Sequence, residues 1–148
     1  MMFVTGTNDF AYPLDSLRKS CLEPKGIVET CIRVEMPHGH EAGWNPIETF
    51  LYPDSILNYG YPMDSIHPKV LLRDGVATAG FSNSRPLKHY FLYTNDSGPW
   101  QERKWHQVEA ECQDVKVRVE IPEGVTAFML AIEDDRGAFT STLPEIFE

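Results

Sequence analysis

Two short polar motifs, each placed directly after a strand-like run, constrain the fold of this chain more than any other feature of its sequence. The first run, at 2–5, leads into Gly-Thr-Asn-Asp at 6–9, and the second, at 27–36, leads into Pro-His-Gly-His at 37–40. The first run is apolar, and the second is rich in β-branched residues, as strands are. One sheet is therefore expected to bring the acid Asp9 close to the two histidines.

A helical pattern follows each of these strands. Pro13 suits the first turn of the first helix, and its apolar residues recur at helical spacing: Leu14, Leu17 and Cys21. Asn45 is typical of an N-cap with Pro46 in the first turn of the second helix, which Pro53 must end or kink. The apolar residues assigned to that helix are Ile47, Phe50, Leu51, Ile56 and Leu57. The order strand, helix, strand, helix predicts a parallel sheet covered by helices.

The pattern changes near residue 66, after a linker expected within 59–68. Short strand-like runs follow, at 69–72, 76–81, 87–94, 115–121 and 126–132. Turn-forming residues separate them, at 74–75, 83–84, 95–98 and 122–124. This spacing predicts an antiparallel Ig-like β-sandwich. The predicted fold class is thus an α+β composite, with a βαβα unit at 1–66 followed by a β-sandwich at 67–148.

The net charge of the chain limits the classes of partner that it is expected to bind. The formal net charge is −9, without a run of lysine or arginine, which argues against nucleic acid or an anionic membrane as a partner. No apolar stretch reaches the roughly 18 residues of a membrane span. The first residues lack the features of a signal peptide, so a cytoplasmic location fits the sequence as written, and a secreted parent protein is equally compatible. The three cysteines show no metal-binding spacing and are expected to be free thiols.

The polar motifs allow more than one chemistry. The Asp9 carboxylate is placed to orient an imidazole, or to form an Asx turn or a helix cap. His38 and His40 are candidates for a catalytic base, for metal ligands or for loop residues without a role. A single His-x-His without further ligands is weak support for a metal, and we predict no metal and no cofactor. Gly39 and Gly43 favour a functional loop, because glycines allow the backbone to approach a substrate closely.

The segments 4–13 and 36–44 resemble the C-terminal part of an α/β-hydrolase. They look like the strand-end turn with the acid of that family and the loop with its histidine. The closest branch is that of prolyl-oligopeptidase-like and acetyl-xylan-esterase-like hydrolases, including relatives of PhoPQ-activated pathogenicity-related proteins that append a β-sandwich. The resemblance implies that Asp9 is the catalytic acid and His40 the base, with His38 as the alternative. It also implies an ester, peptide or carbohydrate substrate near Trp44.

The sequence departs from this family in one respect. The family requires a Gly-x-Ser-x-Gly nucleophile elbow before the acid, and none precedes Asp9. The string at 80–84 lacks the second glycine and follows the histidines, so it is rejected. We therefore expect the C-terminal fragment of a serine hydrolase, inactive alone, because loss of a triad nucleophile lowers turnover by about six orders of magnitude. The open edge of the strand at 2–5 predicts a homo-oligomer.

An aromatic cluster in the second part suggests another class of function. Trp100 and Trp105 lie near two tyrosines and a histidine, and such rings stack on sugars or fill a core. A non-catalytic carbohydrate-binding or assembly module is therefore the alternative function, with both tryptophans as substrate-binding residues. The string Asp-Asp-Arg-Gly at 134–137 is a candidate for a cation site, or for a hairpin turn with an Asp–Arg pair.

Overall fold

The computed structural model describes residues 1–57, 62–82 and 87–147. Its helices are α1 (Leu14–Leu22), α2 (His40–Trp44), α3 (Glu48–Leu57) and a short 3₁₀ helix (Trp100–Glu102). Its strands are β1 (Met2–Asn8), β2 (Glu29–Pro37), β3 (Leu71–Arg73), β4 (Val76–Gly80), β5 (Leu87–Thr94), β6 (His106–Glu109), β7 (Glu111–Gln113), β8 (Lys116–Glu120), β9 (Ala127–Asp134), β10 (Phe139–Ser141) and β11 (Glu145–Ile146). The turn predicted at 83–84, with parts of the linker at 59–68 and of the string at 80–84, lies outside the described residues.

Within the described residues, the strands form two sheets. The larger of them has seven described strands, six in the order β1-β2-β10-β9-β5-β6, with β11 paired to β9. β1 and β2 run parallel, with α1 as their crossover. The described pairs β2–β10, β10–β9, β9–β5 and β5–β6 are antiparallel. The smaller sheet has the order β3-β4-β8-β7.

Two apolar clusters stabilise this arrangement, one on each face of the larger sheet. Between the sheets pack Ala77, Ala79 and Val117 of the smaller sheet with Phe91, Phe128, Leu130 and Ile132 of the larger. On the opposite face, α1 packs its buried residues Leu14 and Leu17 against Leu92 and Met129. Neighbouring residues of β5 and β9 thus face opposite cores, as the alternation of side chains in a strand requires.

The predicted fold class is wrong. The described residues are 42% strand and 19% helix, and no separate βαβα segment of an α/β-hydrolase is present. β2 pairs instead with β10, so β1 and β2 extend the larger sheet of the sandwich. Thr30 Oγ1 donates to the Ser141 carbonyl over 2.6 Å, and Ser141 Oγ accepts from the Ile32 amide over 3.2 Å. The division of the chain near residue 66 stays a prediction.

The helices after β2 differ from the expected single helix. Asn45 ends α2 instead of capping a helix, and its amide donates to the Glu41 carbonyl. The next helix, α3, begins at Glu48 and contains Pro53. Its one buried residue is Glu48, whereas four apolar residues expected to drive its packing are exposed: Ile47, just before it, and Phe50, Ile56 and Leu57 within it. The outer surface of α3 is therefore apolar.

Candidate functional site

Asp9 and His38 form a hydrogen-bonded pair just beyond the ends of the two parallel strands. His38 Nδ1 lies 3.1 Å from Asp9 Oδ2. Because an ionised carboxylate only accepts hydrogen bonds, this contact assigns the Nδ1 proton to His38. The Asp9 side chain is 8% exposed and that of His38 is 39% exposed. The imidazole is thus hydrogen-bonded to a buried carboxylate, while part of its ring reaches solvent.

The two oxygens of Asp9 have different partners. Oδ1 accepts from the backbone amides of Ala11 at 2.8 Å and Tyr12 at 3.0 Å, while Oδ2 faces His38. The two interpretations of this carboxylate, turn former and imidazole partner, therefore hold together. Burial alone would raise the pKa of Asp9, but the bonds from Tyr12, His38 and Ala11 outweigh it, so the pKa lies below its ordinary value.

The residues just before Asp9 and His38 bring the two strand ends together. Asn8 is opposite Pro37 in the β1–β2 ladder, and Asp9 and His38 follow them directly. The ladder shifts between Gly6 and Asn8, because β2 bulges at Glu35, whose φ is 57°. The hydroxyl of the fully buried Thr7 accepts a hydrogen bond from the Glu35 amide over 2.9 Å.

His40, which the resemblance favoured as the base, lies elsewhere in the same site. It is the first residue of α2, is exposed, and lines the groove beside the pair. In the described part of the chain, the histidine of this loop that is hydrogen-bonded to Asp9 is His38. The geometry therefore favours His38 over His40 as the candidate base.

A groove of about 760 Å³ opens beside the pair. The edge of β1 at 2–5, the first turns of α1 and the start of α3 line it, together with Asp9, His38, His40 and Trp44. Its wall is mainly apolar, but Thr5 Oγ1 and Glu48 Oε2 are buried there without a hydrogen-bond partner among the described residues. Trp44 is 66% exposed at the rim, where its ring is available to a bound molecule.

The described residues supply no partner for the other side of the imidazole. Within 1–57, 62–82 and 87–147, no serine or cysteine side chain is hydrogen-bonded to His38. Ser16 and Ser20 line the groove, and Ser20 Oγ donates to the Ser16 carbonyl over 3.1 Å. The rings of Phe10 and Tyr12 contact His38 instead, with centroids 5.2 and 5.7 Å away. The site therefore pairs a carboxylate with an imidazole whose other nitrogen has no serine or cysteine partner among the described residues.

Trp100 and Trp105 are not among the residues that line this groove. Trp105 is 5% exposed and belongs to the core under α1. Trp100 stacks on it at 6.5 Å, donates from Nε1 to Asp15 over 3.0 Å, and is covered by the Arg103 guanidinium at 3.7 Å. The two rings are thus engaged by the protein itself, which favours packing over sugar stacking; a carbohydrate-binding role for them stays a prediction.

The acidic string at 134–137 forms a turn. Asp134 accepts from the amides of Arg136 and Ala138 and from the Arg136 guanidinium, the last at 2.6 Å. Gly137 has a φ of 83°, and the turn joins β9 to β10. In the described part of the chain, no group of three His, Cys, Asp or Glu side chains is placed to hold a metal ion. None of the described helices is long and apolar enough to cross a membrane.

Sequence reasoning identified Asp9 and the histidine loop but missed the residues that fix their geometry. The sequence pattern predicts Gly6, Thr7 and Asn8 only as parts of a turn. The run Thr-Gly-Thr-Asn before the acid was the available signal, because a glycine between threonines in a buried strand indicates a close backbone approach.

The chain matches no protein-family model, no curated protein and no solved structure at a significant level.

Proposed function

We propose that the groove is the acid–base part of a serine hydrolase site that acts on carboxylic esters or peptides. The observation that carries the proposal is the 3.1 Å contact between His38 Nδ1 and Asp9 Oδ2 at adjacent strand ends. A carboxylate on Nδ1 leaves Nε2 free to accept a proton, which is the arrangement of a Ser-His-Asp triad. The exposed ring of His38 and the apolar groove beside it are consistent with an acyl substrate.

Each group has a defined role in this reaction. A serine hydroxyl attacks the carbonyl carbon of the substrate while His38 Nε2 takes its proton. The tetrahedral intermediate then collapses, the bond to the alcohol or amine breaks, and His38 returns the proton to the leaving group. Water repeats both steps on the acyl-enzyme and releases the acid. Asp9 holds the imidazole tautomer and stabilises its positive charge throughout.

The proposal requires a serine from a polypeptide segment that lies against the groove. The edge of β1 opposite β2 has no strand partner among the described residues. Met2, Phe3 and Val4 are only half-buried there and line the groove. A strand that paired in parallel with this edge would end near Asp9 and His38.

A fluorophosphonate probe, which modifies only activated serines, tests the proposal. The tagged protein is isolated from its native cells together with everything bound to it and is treated with the probe. We expect one labelled serine in the purified material. His38→Gln and Asp9→Asn should lower the labelling rate by at least about a hundredfold.

His40→Gln is the matched control, because it changes a histidine of the same groove for which no hydrogen bond to Asp9 occurs in the described part of the chain. It should retain at least half of the labelling rate. Absence of any labelled serine, or labelling that survives His38→Gln, would contradict the proposal.

The exposed apolar surface supports a second candidate function, which competes with the first for the edge of β1. Ten of the fifteen large apolar side chains that are exposed in the described part of the chain belong to residues 1–57. Such a concentration in the part of the chain that holds an unpaired strand edge is typical of an interface. We propose that two copies associate there, because two identical edges pair about a twofold axis and cover each other.

Sedimentation equilibrium at increasing salt tests this association. Each copy carries a net charge of −9, so screening of the repulsion should strengthen the dimer as NaCl rises. Phe50→Glu on α3 should give a monomer. Val108→Glu, which changes an apolar residue 44% exposed on β6 at the other edge of the sheet, should still give a dimer. A monomer at high protein concentration in 1 M NaCl would contradict this second proposal.

A further inference from the structure

A loop of the sandwich is joined to the strand end that carries Asp9. Asn8 Nδ2 donates to the backbone carbonyls of Gln101 at 3.1 Å and Arg103 at 2.9 Å. These carbonyls are more than ninety positions away in the sequence and belong to the segment around the 3₁₀ helix. The side-chain amide of Asn8 therefore connects β1 to the loop 95–105.

The same amide is connected to β2 through Thr7. The Glu35 amide donates to Thr7 Oγ1 over 2.9 Å, and Thr7 Oγ1 donates to Asn8 Oδ1 over 2.6 Å. Thr7 is fully buried, so its hydroxyl makes both bonds away from solvent. A continuous set of hydrogen bonds thus runs from β2, just before His38, through Thr7 and Asn8 to the loop.

The loop 95–105 is hydrogen-bonded both to α1 and within itself. Trp100 Nε1 donates to Asp15 Oδ1 on α1, and the Arg103 guanidinium lies over the Trp100 ring and donates to the Gly98 carbonyl over 2.8 Å. The Lys104 amide donates to Asp96 Oδ2 over 2.7 Å. These contacts join the loop to α1 and to itself, so that its carbonyls form a fixed anchor for Asn8.

We propose that Asn8 is a positioning residue, which uses the loop 95–105 to set the direction of the Asp9 carboxylate toward His38. Asp9 follows Asn8 in the chain, and Asn8 is the ladder partner of Pro37, which precedes His38. A shift of the Asn8 backbone would therefore displace the attachment of both members of the pair. The role in catalysis rests on the proposed function, whereas the role in the geometry does not.

Nitrogen-15 NMR of the His38 ring tests the geometry without any activity. In the wild type the neutral ring should carry its proton on Nδ1, with slow exchange because of the bond to Asp9. Asn8→Ala should shift the ring toward the Nε2–H tautomer and speed exchange of the remaining Nδ1 proton at least tenfold. Gln101→Ala is the control, because Asn8 binds the backbone and not the side chain of Gln101. It should leave both signals unchanged.

Thr7 supplies a second test if Asn8→Ala does not fold. Thr7→Val keeps the shape but removes both hydrogen bonds of the hydroxyl, and should shift the tautomer as Asn8→Ala does. Thr7→Ser keeps the hydroxyl and should restore the wild-type spectrum. An unchanged His38 spectrum in folded Asn8→Ala or Thr7→Val, or an equal change in Gln101→Ala, would overturn the proposal.

The fluorophosphonate assay separates this inference from the proposed function. If both hold, Asn8→Ala lowers the labelling rate about tenfold to a hundredfold, as a displacement of about 1 Å does at an active site. A shifted tautomer in a protein that never labels would refute the hydrolase and support the positioning role. If Asn8→Ala were labelled at the full wild-type rate, the proposal that Asn8 contributes to catalysis through its positioning role would be overturned.

Discussion

Gly6 and Met36 approach so closely that the glycine has no room for a side chain. A Cβ placed on Gly6 would lie 1.7 Å from the Met36 carbonyl oxygen and 2.5 Å from its carbonyl carbon. The approach occurs where the ladder shifts and β2 bulges, just before the strands deliver Asp9 and His38. The glycine therefore permits the local geometry of the candidate site.

Gly6→Ala should destabilise the protein severely, because backbone atoms of Met36 must move to admit the methyl group. We expect a loss of about 3 kcal/mol or more in the free energy of unfolding, measured by urea denaturation. Gly43→Ala is the matched control, since nothing lies within 4 Å of its added Cβ and it sits in α2. It should be neutral or slightly stabilising. A loss below about 1 kcal/mol for Gly6→Ala would contradict the close approach.

The hydrogen bonds of Asp9 should make stability depend on pH. The pKa of Asp9 in the folded protein lies below its ordinary value of 3.8, so the unfolded chain binds the proton more tightly. The stabilisation is therefore complete well above pH 3.8 and is lost as the pH falls through the folded pKa. Asp9→Asn should cost about 1–3 kcal/mol at pH 7 and much less near pH 2.

Urea denaturation at both pH values checks this prediction. Asp114→Asn, at an exposed turn residue, is the control and should stay within about 0.5 kcal/mol of the wild type at pH 7. A deficit of Asp9→Asn that grows on acidification would have the wrong sign.

The cysteines should differ in reactivity. Cys112 is exposed, whereas Cys21 and Cys31 are buried, and burial raises the pKa of Cys21 to about 11. Because the thiolate is the reactive form, a thiol reagent should modify one cysteine rapidly in the native protein and three after denaturation. Cys112→Ser should abolish the rapid phase. Rapid modification of Cys21 or Cys31 would show that the core under α1 opens readily.

Local patterns predicted much of the secondary structure. β1, α1, β2, β4, β5, β8 and β9 lie close to the expected runs. β6, β7, β10 and β11 were missed, because each has only two to four residues and is too short to show an alternation. Missing β10 had the largest consequence, since it is the strand that joins β2 to the sandwich.

The candidate site was predictable where it depends on neighbours in the chain and unpredictable where it depends on distant ones. The positions of Asp9 and the histidines at strand ends followed from the sequence. The contact of His38 rather than His40 with Asp9 did not, because it lies beside a bulge at Glu35 and a strand end bonded through Asn8 to a loop more than ninety residues away. No periodicity encodes such contacts.

The buried pair of Glu48 and Arg33 should be strongly coupled. Glu48 Oε1 accepts from Arg33 Nη2 at 2.6 Å and from the Phe139 amide at 2.5 Å, and its side chain is fully buried. Removal of the carboxylate leaves the half-buried guanidinium and the amide without this partner. Glu48→Ala should therefore cost about 3 kcal/mol or more in the free energy of unfolding.

A double-mutant cycle with Arg33→Met separates the interaction energy of the pair from the cost of the cavity that Glu48→Ala leaves. The coupling energy should exceed about 1.5 kcal/mol. The pair of Arg118 with Glu111, at 3.9 Å and with the glutamate 82% exposed, is the matched control, and its coupling should stay below about 0.5 kcal/mol. Equal coupling in the two pairs would mean that α3 is not held to the sheet through Glu48. A large coupling would explain how a helix with an apolar outer surface stays in place, because its attachment is ionic and its apolar residues stay available to a partner.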